Sequence, residues 1–366
     1  MKQREDSDTG IKKKIYKLLI MLLGVLFWIS AIFNQKRIAD FHGSVSVRFS
    51  DSAVTKEQIE NALESMLSRK DADIPKVTLW QREEKTPVTN VGMGKSLNVD
   101  WITVAGDMSK VYPGPVIQGG YLSGKDYGGC VIDKNSAYRL FGSENVIGLK
   151  LQHQDKDYII RGILESADSN VMIVQADGHG FQRNNKMYHC MELEFTDHQN
   201  ALAAAKNFVL TYGLGKPSAY INGYQYQKLA ELLIHVPIWL YALWIIRLLV
   251  RKVHSWRSSL ILTLTGYLTV LAFIMILIKL AALQLYFPGS LIPNKWSDFD
   301  FWTVKWKEMT TSLLGREGIV RYYKEIVLKN RLIFVTAGVA VTVMAERIMI
   351  KDFTNKIEKI HGFLKQ

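Results

Sequence analysis

Polar and apolar positions are spread very unevenly along this chain. Four stretches, 18–33, 229–250, 259–287 and 332–350, are apolar with few interruptions. Crossing a bilayer core about 30 Å thick takes about 20 apolar helical residues, so each stretch is read as a transmembrane span. Elsewhere the pattern changes period. Val45, Val47 and Phe49 alternate with polar residues as a half-buried strand does. Ser52 or Thr55 then stands where a helix cap belongs, ahead of Ile59, Leu63, Met66 and Leu67 at helical spacing. Val77 to Trp80, Tyr158 to Leu164 and Met191 to Phe195 read as further strands, and Asn200 to Leu210 as an Ala-rich helix.

The charges refine this picture. The chain of 366 residues has a formal net charge of +12, which by itself is compatible with nucleic-acid binding. The excess, however, sits mostly beside the apolar stretches: +3 over 1–17, +4 over 247–257 and +2 over 346–366, while 18–230 is neutral. That is the distribution of juxtamembrane anchors, and it removes the main support for nucleic acid as a partner. Lys12, Lys13, Lys14 and Lys17 precede the first span and hold the N-terminus in the cytoplasm. No small-x-small cleavage pattern follows that span, which reads as an uncleaved anchor. Arg247, Arg251 and Lys252 hold the end of the second span inside.

Parity then gives a complete topology. The cytoplasmic N-terminus (1–17) leads through span 1 (18–33) to an extracytoplasmic domain (34–228). Span 2 (229–250), a cytoplasmic turn (251–258) and span 3 (259–287) follow. An outer loop (288–331), span 4 (332–350) and a cytoplasmic tail (351–366) complete the chain, which is assigned to the plasma membrane. The outer loop carries eight Lys/Arg against five acids and contains Trp296, Trp302 and Trp306. Span 3 is longer than a bilayer requires, so it tilts or projects outward.

Candidate chemistry is sparse. Gly94-Lys95-Ser96 ends like a phosphate-binding loop, but such a loop needs a glycine at position 89, which is Thr89. His179, with His189 and Cys190 near it, lacks the paired spacing of a metal site, and Asp177-Gly178-His179-Gly180 reads as a turn. No nucleophile elbow and no Ser/His/Asp spacing recommends catalysis, so no catalytic, cofactor or metal residue is assigned and the chain is not read as an enzyme. Cys130 and Cys190 both fall outside the membrane on this topology, where either a disulfide or two separate buried thiols is compatible with the sequence. Lys279 lies within span 3; it either pairs with Glu231 or Glu346, lines a polar cavity, or lies above the bilayer.

One stretch carries a family likeness. It runs from Gly119-Gly120-Tyr121-Leu122 through Gly129-Cys130-Val131-Ile132-Asp133, Ala137, Leu140-Phe141-Gly142 and Asn145-Val146-Ile147-Gly148 to Tyr158-Ile159-Ile160-Arg161-Gly162-Ile163-Leu164. It resembles the extracytoplasmic core domain of MacB/FtsX-like ABC transporter permeases, and the order of one span, a large domain and three spans resembles that family too. Local physics agrees: Gly142 suits the left-handed position closing a helix, Gly148 a tight turn, and Gln152 to Gly162 a hairpin turning at Asp155-Lys156.

The resemblance implies a fold: an α-helical bundle of four transmembrane helices with a mixed α/β extracytoplasmic domain of two small lobes between spans 1 and 2. It also implies a permease-like subunit, working as a homodimer or heterodimer with a separate cytoplasmic ABC-type ATPase that binds the ATP. On that reading the ATPase meets Arg251, Lys252, His254, Trp256 and Arg257. The alternative expectation is a membrane-anchored binding or scaffold protein without ATPase coupling.

Overall fold

The computed structural model describes residues 2–39, 44–71, 73–112, 115–124, 126–165, 170–176, 186–198, 200–255, 260–284, 293, 295, 297–304, 306–307 and 323–363. The chain forms two compact units, one of residues 1–39, 225–295 and 330–366, the other of residues 40–224 and 296–329.

The first unit is built from long helices: α1 (Lys2–Ala39), most of α5 (Gly223–His254), α6 (Leu260–Gln284) and most of α7 (Tyr323–Phe363). The stretches Ile15–Ile38, Gly223–His254, Leu260–Leu280 and Lys324–Thr354 are each long and apolar enough to cross a membrane. These helices run well beyond the apolar stretches read from the sequence, because a regular backbone satisfies its own polar groups and has no reason to stop at the last apolar residue.

Small residues bring α1 and α7 together. A Cβ on Gly338 would lie 2.9 Å from the Phe27 carbonyl oxygen, and one on Gly24 would lie 2.9 Å from the Ala345 Cβ. Into that close approach Thr342 donates to the Gly24 carbonyl at 3.0 Å, and Arg331 donates to Asn34 at 2.8 Å. Lys17 pairs with Asp352 at 2.6 Å. Residue numbers fall along α7 as they rise along α1, so the two helices are antiparallel. Helix α5 contributes Ile234, whose carbonyl accepts from the Trp28 indole at 3.1 Å, and Trp244, whose ring stands edge-on to Phe353.

The second unit is a mixed α/β domain. Its strands are β1 (Ser44–Arg48), β2 (Val54–Thr55), β3 (Lys76–Asn90), β4 (Lys95–Ala105), β5 (Val116–Gly119), β6 (Gly129–Asp133), β7 (Lys150–His153), β8 (Lys156–Leu164), β9 (Val171–Gln175), β10 (Met187–Tyr188), β11 (Cys190–Glu194) and β12 (Ala219–Asn222). Its helices are α2 (Lys56–Arg69), α3 (Lys134–Phe141) and α4 (Ala201–Thr211). One sheet runs in the order β12-β1-β11-β3-β4-β9-β6-β8-β5, with β7 pairing β3 and β8 beside it. The β4–β9 and β6–β8 pairs are parallel; the other pairs are antiparallel.

Central strands are apolar on both faces because both are covered. Cys130 and Ile132 of β6 and Met172 and Val174 of β9 face a core with Leu140, Phe141 and Trp101. Val131 and Ile173, one residue out of phase, face another with Trp80, Tyr112 and Leu164. A third core gathers Val45, Val47, Ile59, Leu193 and Phe208 under α2 and α4.

The helix signals resolve into specific caps. Thr55 and Gln58 form a reciprocal capping box on α2, so Thr55, not Ser52, is the cap. Leu67, expected on the buried face of α2, is 61% exposed. Asp133 caps α3 through the backbone amides of Asn135 and Ser136 and also accepts from Val171 N at 2.8 Å, joining β6, α3 and β9 at one buried carboxylate. Gly142 closes α3 with φ 74°.

Two corrections are local. The β7–β8 hairpin turns at Gln154-Asp155, one residue earlier than expected, with φ of 46° and 63°, the paired positive angles of a type I′ turn. Of Gly94-Lys95-Ser96, only Gly94, with φ 62°, lies in the β3–β4 turn; Lys95 and Ser96 already belong to β4, opposite Asn90 and Thr89. The glycines of the family-like stretch also gain a reason. A Cβ on Gly119 would lie 2.0 Å from the Arg161 carbonyl oxygen, and one on Gly162 would lie 2.3 Å from that of Gly120, so β5 and β8 meet backbone to backbone.

Candidate functional site

Strand β1 places Ser44, Ser46 and Arg48 on one face and Val45 and Val47 on the other. The alternation was legible in the sequence, but the strand is buried on both sides rather than half-buried. The polar face is covered by the first turn of α7, which brings Lys324 and Glu325 against it. Lys324 and Glu325, within the outer loop expected at 288–331, thus pack with the domain unit. Glu192 arrives on the same face because β11 pairs with β1 in the register that sets Ser46 opposite Glu192.

Four charges meet there, each side chain less than a tenth exposed. The Arg48 guanidinium donates Nη1 to Glu192 Oε1 and Nε to Glu325 Oε1, both at 2.8 Å, and lies 4.9 Å from the centre of the Trp80 ring. Lys324 Nζ donates to Ser44 Oγ at 2.7 Å, Ser46 Oγ at 2.8 Å and Glu192 Oε2 at 2.7 Å, which uses all three ammonium protons. Glu192 Oε1 also accepts from the Trp80 indole at 3.2 Å, and Oε2 accepts from the Ser46 hydroxyl. All four acceptor positions of the carboxylate are thus filled.

This arrangement sets the ionisation of the cluster. Burial alone would push the Glu192 carboxyl up, but the charges of Lys324 and Arg48, with hydrogen bonds from Lys324 and Ser46, hold it down at about 2. Burial likewise opposes the charge on Arg48, and Glu325 and Glu192 outweigh it, keeping the guanidinium above its ordinary value. Two acids and two bases cancel. The Lys324 ammonium and the Glu192 carboxylate have no capacity left for a substrate; what the cluster does is clamp β1, β3, β11 and the start of α7 together.

The residues singled out from the sequence lie elsewhere. Arg251, Lys252 and His254 are exposed on the last turn of α5, whereas Trp256 and Arg257 lie outside the described residues. Lys279 is exposed at the penultimate position of the apolar stretch Leu260–Leu280, and Glu231 is paired with Lys228 at 2.8 Å. Cys130 and Cys190 are separate buried thiols. Strands β6 and β11 are four places apart in the sheet, about 19 Å at the usual strand spacing, so the disulfide alternative is excluded. Burial pushes the Cys130 thiol up. His179 lies outside the described residues, and His189 donates Nδ1 to the Ser52 carbonyl at 3.2 Å. No group of three or more potential metal ligands occurs among the described residues.

No family model and no curated protein matches this chain. Several solved structures are similar to part of it. The periplasmic region of MacB from Actinobacillus actinomycetemcomitans shares 13% identity over 51% of this chain and 92% of that one, with a TM-score of 0.40. The extracellular domain of the noncanonical ABC-type transporter YknZ from Gram-positive bacteria shares 16% over 48% and 96%, with a TM-score of 0.37. A permease protein domain from Porphyromonas gingivalis shares 14% over 47% and 85%, with a TM-score of 0.33. Each likeness covers about half of this chain, and four of its helices are long and apolar enough to cross a membrane.

Proposed function

We propose that this chain is the permease-like membrane subunit of an ABC-type complex. It couples a separate cytoplasmic ATPase, which holds the ATP, to its own extracytoplasmic domain for export or extraction of a substrate. Two copies, identical or related, form the membrane part in the plasma membrane, with both termini cytoplasmic. The observation that carries this reading is the plan of the chain: a mixed α/β domain interposed between the first and second of four apolar helices. The antiparallel run of α1 along α7 supports placing both termini on one side.

The ion cluster gives the plan a mechanical aspect. It fixes Lys324 and Glu325 in the domain, so the domain is tied to the start of the fourth span as well as to the first and second. On the inner side the ATPase contacts Arg251, Lys252, His254, Trp256 and Arg257, a basic turn with one large aromatic, as at many binding hot spots.

Co-purification from native membranes tests the proposal. An ABC-type ATPase is expected with the wild-type chain and is lost, at unchanged abundance, from the Trp256→Ala/Arg257→Ala variant. Protease sensitivity of the outer domain in the reconstituted complex is expected to change with ATP. Absence of any ATPase partner overturns the reading. The second reading, a membrane-anchored scaffold, is favoured by the brevity of the inner turn, 251–258; it requires that ATP leave the domain unchanged.

A further inference from the structure

Helix α7 has one exposed face that combines two chemistries. Met344 is 65% and Ile348 48% exposed, and Arg347 and Lys351 are exposed as well. The four stand at i, i+3, i+4 and i+7, which puts them on one side of the helix. Each cation lies three residues beyond an apolar neighbour, towards the end of the apolar stretch Lys324–Thr354. Lys351 is about 4.5 Å of helix short of that end. Neither cation has an ion-pair or hydrogen-bond partner among the described residues. The nearby carboxylates are engaged elsewhere: Asp352 pairs with Lys17 at 2.6 Å, and both oxygens of Glu346 are buried.

We propose that this face seats an anionic phospholipid, its acyl chains along Met344 and Ile348 and its phosphate held between Arg347 and Lys351. The assignment rests on the helices spanning a bilayer, and neither cation belongs to the basic turn given to the ATPase. Reach and geometry fit a phosphate. Side chains one turn apart on a helix are neighbours, so a single phosphate can take the planar fork of the guanidinium and the point charge of the ammonium together. Both stems are long enough to carry their charges from the helix towards the headgroup layer. Charge then selects the lipid. Two cations without a carboxylate partner are complementary to a headgroup of net negative charge, whereas a phosphatidylcholine phosphate already has a cation of its own. The order along the helix favours lipid over a protein occupant, because one phospholipid supplies apolar chains towards the middle of the span and an anion at its end.

The test uses the full chain reconstituted in mixed phosphatidylcholine and phosphatidylglycerol vesicles, with bromine on the acyl chains of one lipid or the other. A bimane label is placed at Met344→Cys or Leu268→Cys in separate preparations, the two native thiols being buried. Quenching at 268, an exposed position of α6, reports membrane insertion itself; its absence sinks the spanning reading, and the lipid site with it. Given quenching at 268, the ratio of quenching by brominated phosphatidylglycerol to that by brominated phosphatidylcholine is expected to be about threefold or more higher at 344 than at 268. Arg347→Gln/Lys351→Gln is expected to bring the ratio at 344 down to that at 268, and 1 M salt to lower it. Equal ratios at the two positions overturn the proposal, as does a preference that survives in the double variant. A label at 344 that neither brominated lipid quenches overturns it too, being the signature of a second copy or another protein on this face. Loss of the preference on adding millimolar inorganic phosphate would assign the cations to free phosphate and overturn the lipid.

Discussion

At the scale of single residues, Glu192 is the side chain on which the domain turns. Its folded pKa, about 2, lies below its ordinary 4.5, so its ionisation stabilises the fold above pH 4.5. That contribution falls away as the pH drops from 4.5 towards 2. Near-ultraviolet circular dichroism of the detergent-solubilised chain, which reports the packing of Trp80, is expected to lose signal in that window, and Glu192→Gln is expected to flatten the dependence there. Lys324→Met leaves a buried carboxylate short of a partner and is expected to cost about 3–5 kcal/mol. Adding Glu192→Gln to Lys324→Met removes the orphaned charge and should recover part of the loss in a denaturant titration. Neither role was legible beforehand. In the sequence Glu192 is one carboxylate among many on a neutral segment, and Lys324 is a lysine beside an apolar stretch. Only the alternation of Ser44, Ser46 and Arg48 with valines gave the polar face away, and nothing in it said that the face was covered.

At the scale of elements, local signals were read more faithfully than long-range ones. The αL glycine after α3, the Thr55 cap and the strand cores follow from chemistry within a few residues, and each was visible. The β7–β8 turn was displaced by one residue because Gln154 offers no compositional hint that it holds a positive φ. The burial of Leu67 was overestimated because spacing identifies a face but not its edge. Helix pairing was not legible at all, since Gly24 and Gly338 are two glycines among 26 until α1 and α7 are set side by side. That pairing makes a direct prediction. Gly338→Leu places a side chain where the Phe27 carbonyl already lies 2.9 Å from an added Cβ, and is expected to lower the thermal unfolding temperature in detergent by several degrees. Gly142→Ala, at an exposed cap with open space around it, is expected to cost only about 1 kcal/mol, the backbone term alone.

At the scale of the whole molecule, the fold places 324 and 325 with 44–48 and 192, and hence on one side of the membrane. The excess of positive charge in 288–331 argues for the inner face by loop statistics, whereas Lys324 and Glu325 are buried against β1, so labelling decides between the two. Cysteines introduced at Ser143 and Thr303 are accordingly expected to react together with an impermeant maleimide on intact cells, while one at Ser255 stays protected until the membrane is opened. Reaction at Ser255 without permeabilisation would reverse the orientation of the entire chain.

The ion cluster also imposes an order in time. Glu192 and Lys324 are 132 residues apart, and Arg48 precedes Glu325 by 277. At about 5–20 residues per second, a ribosome takes roughly 7 to 26 s to travel from the codon of Glu192 to that of Lys324. Throughout that interval β1 and β11 are already made, and their carboxylate and guanidinium have neither Lys324 nor Glu325. The domain is therefore expected to mature only when α7 begins to emerge, after synthesis has passed the third span. A nascent chain arrested after residue 295 is expected to be cut by protease around β11, and one arrested after the full 366 residues to be resistant.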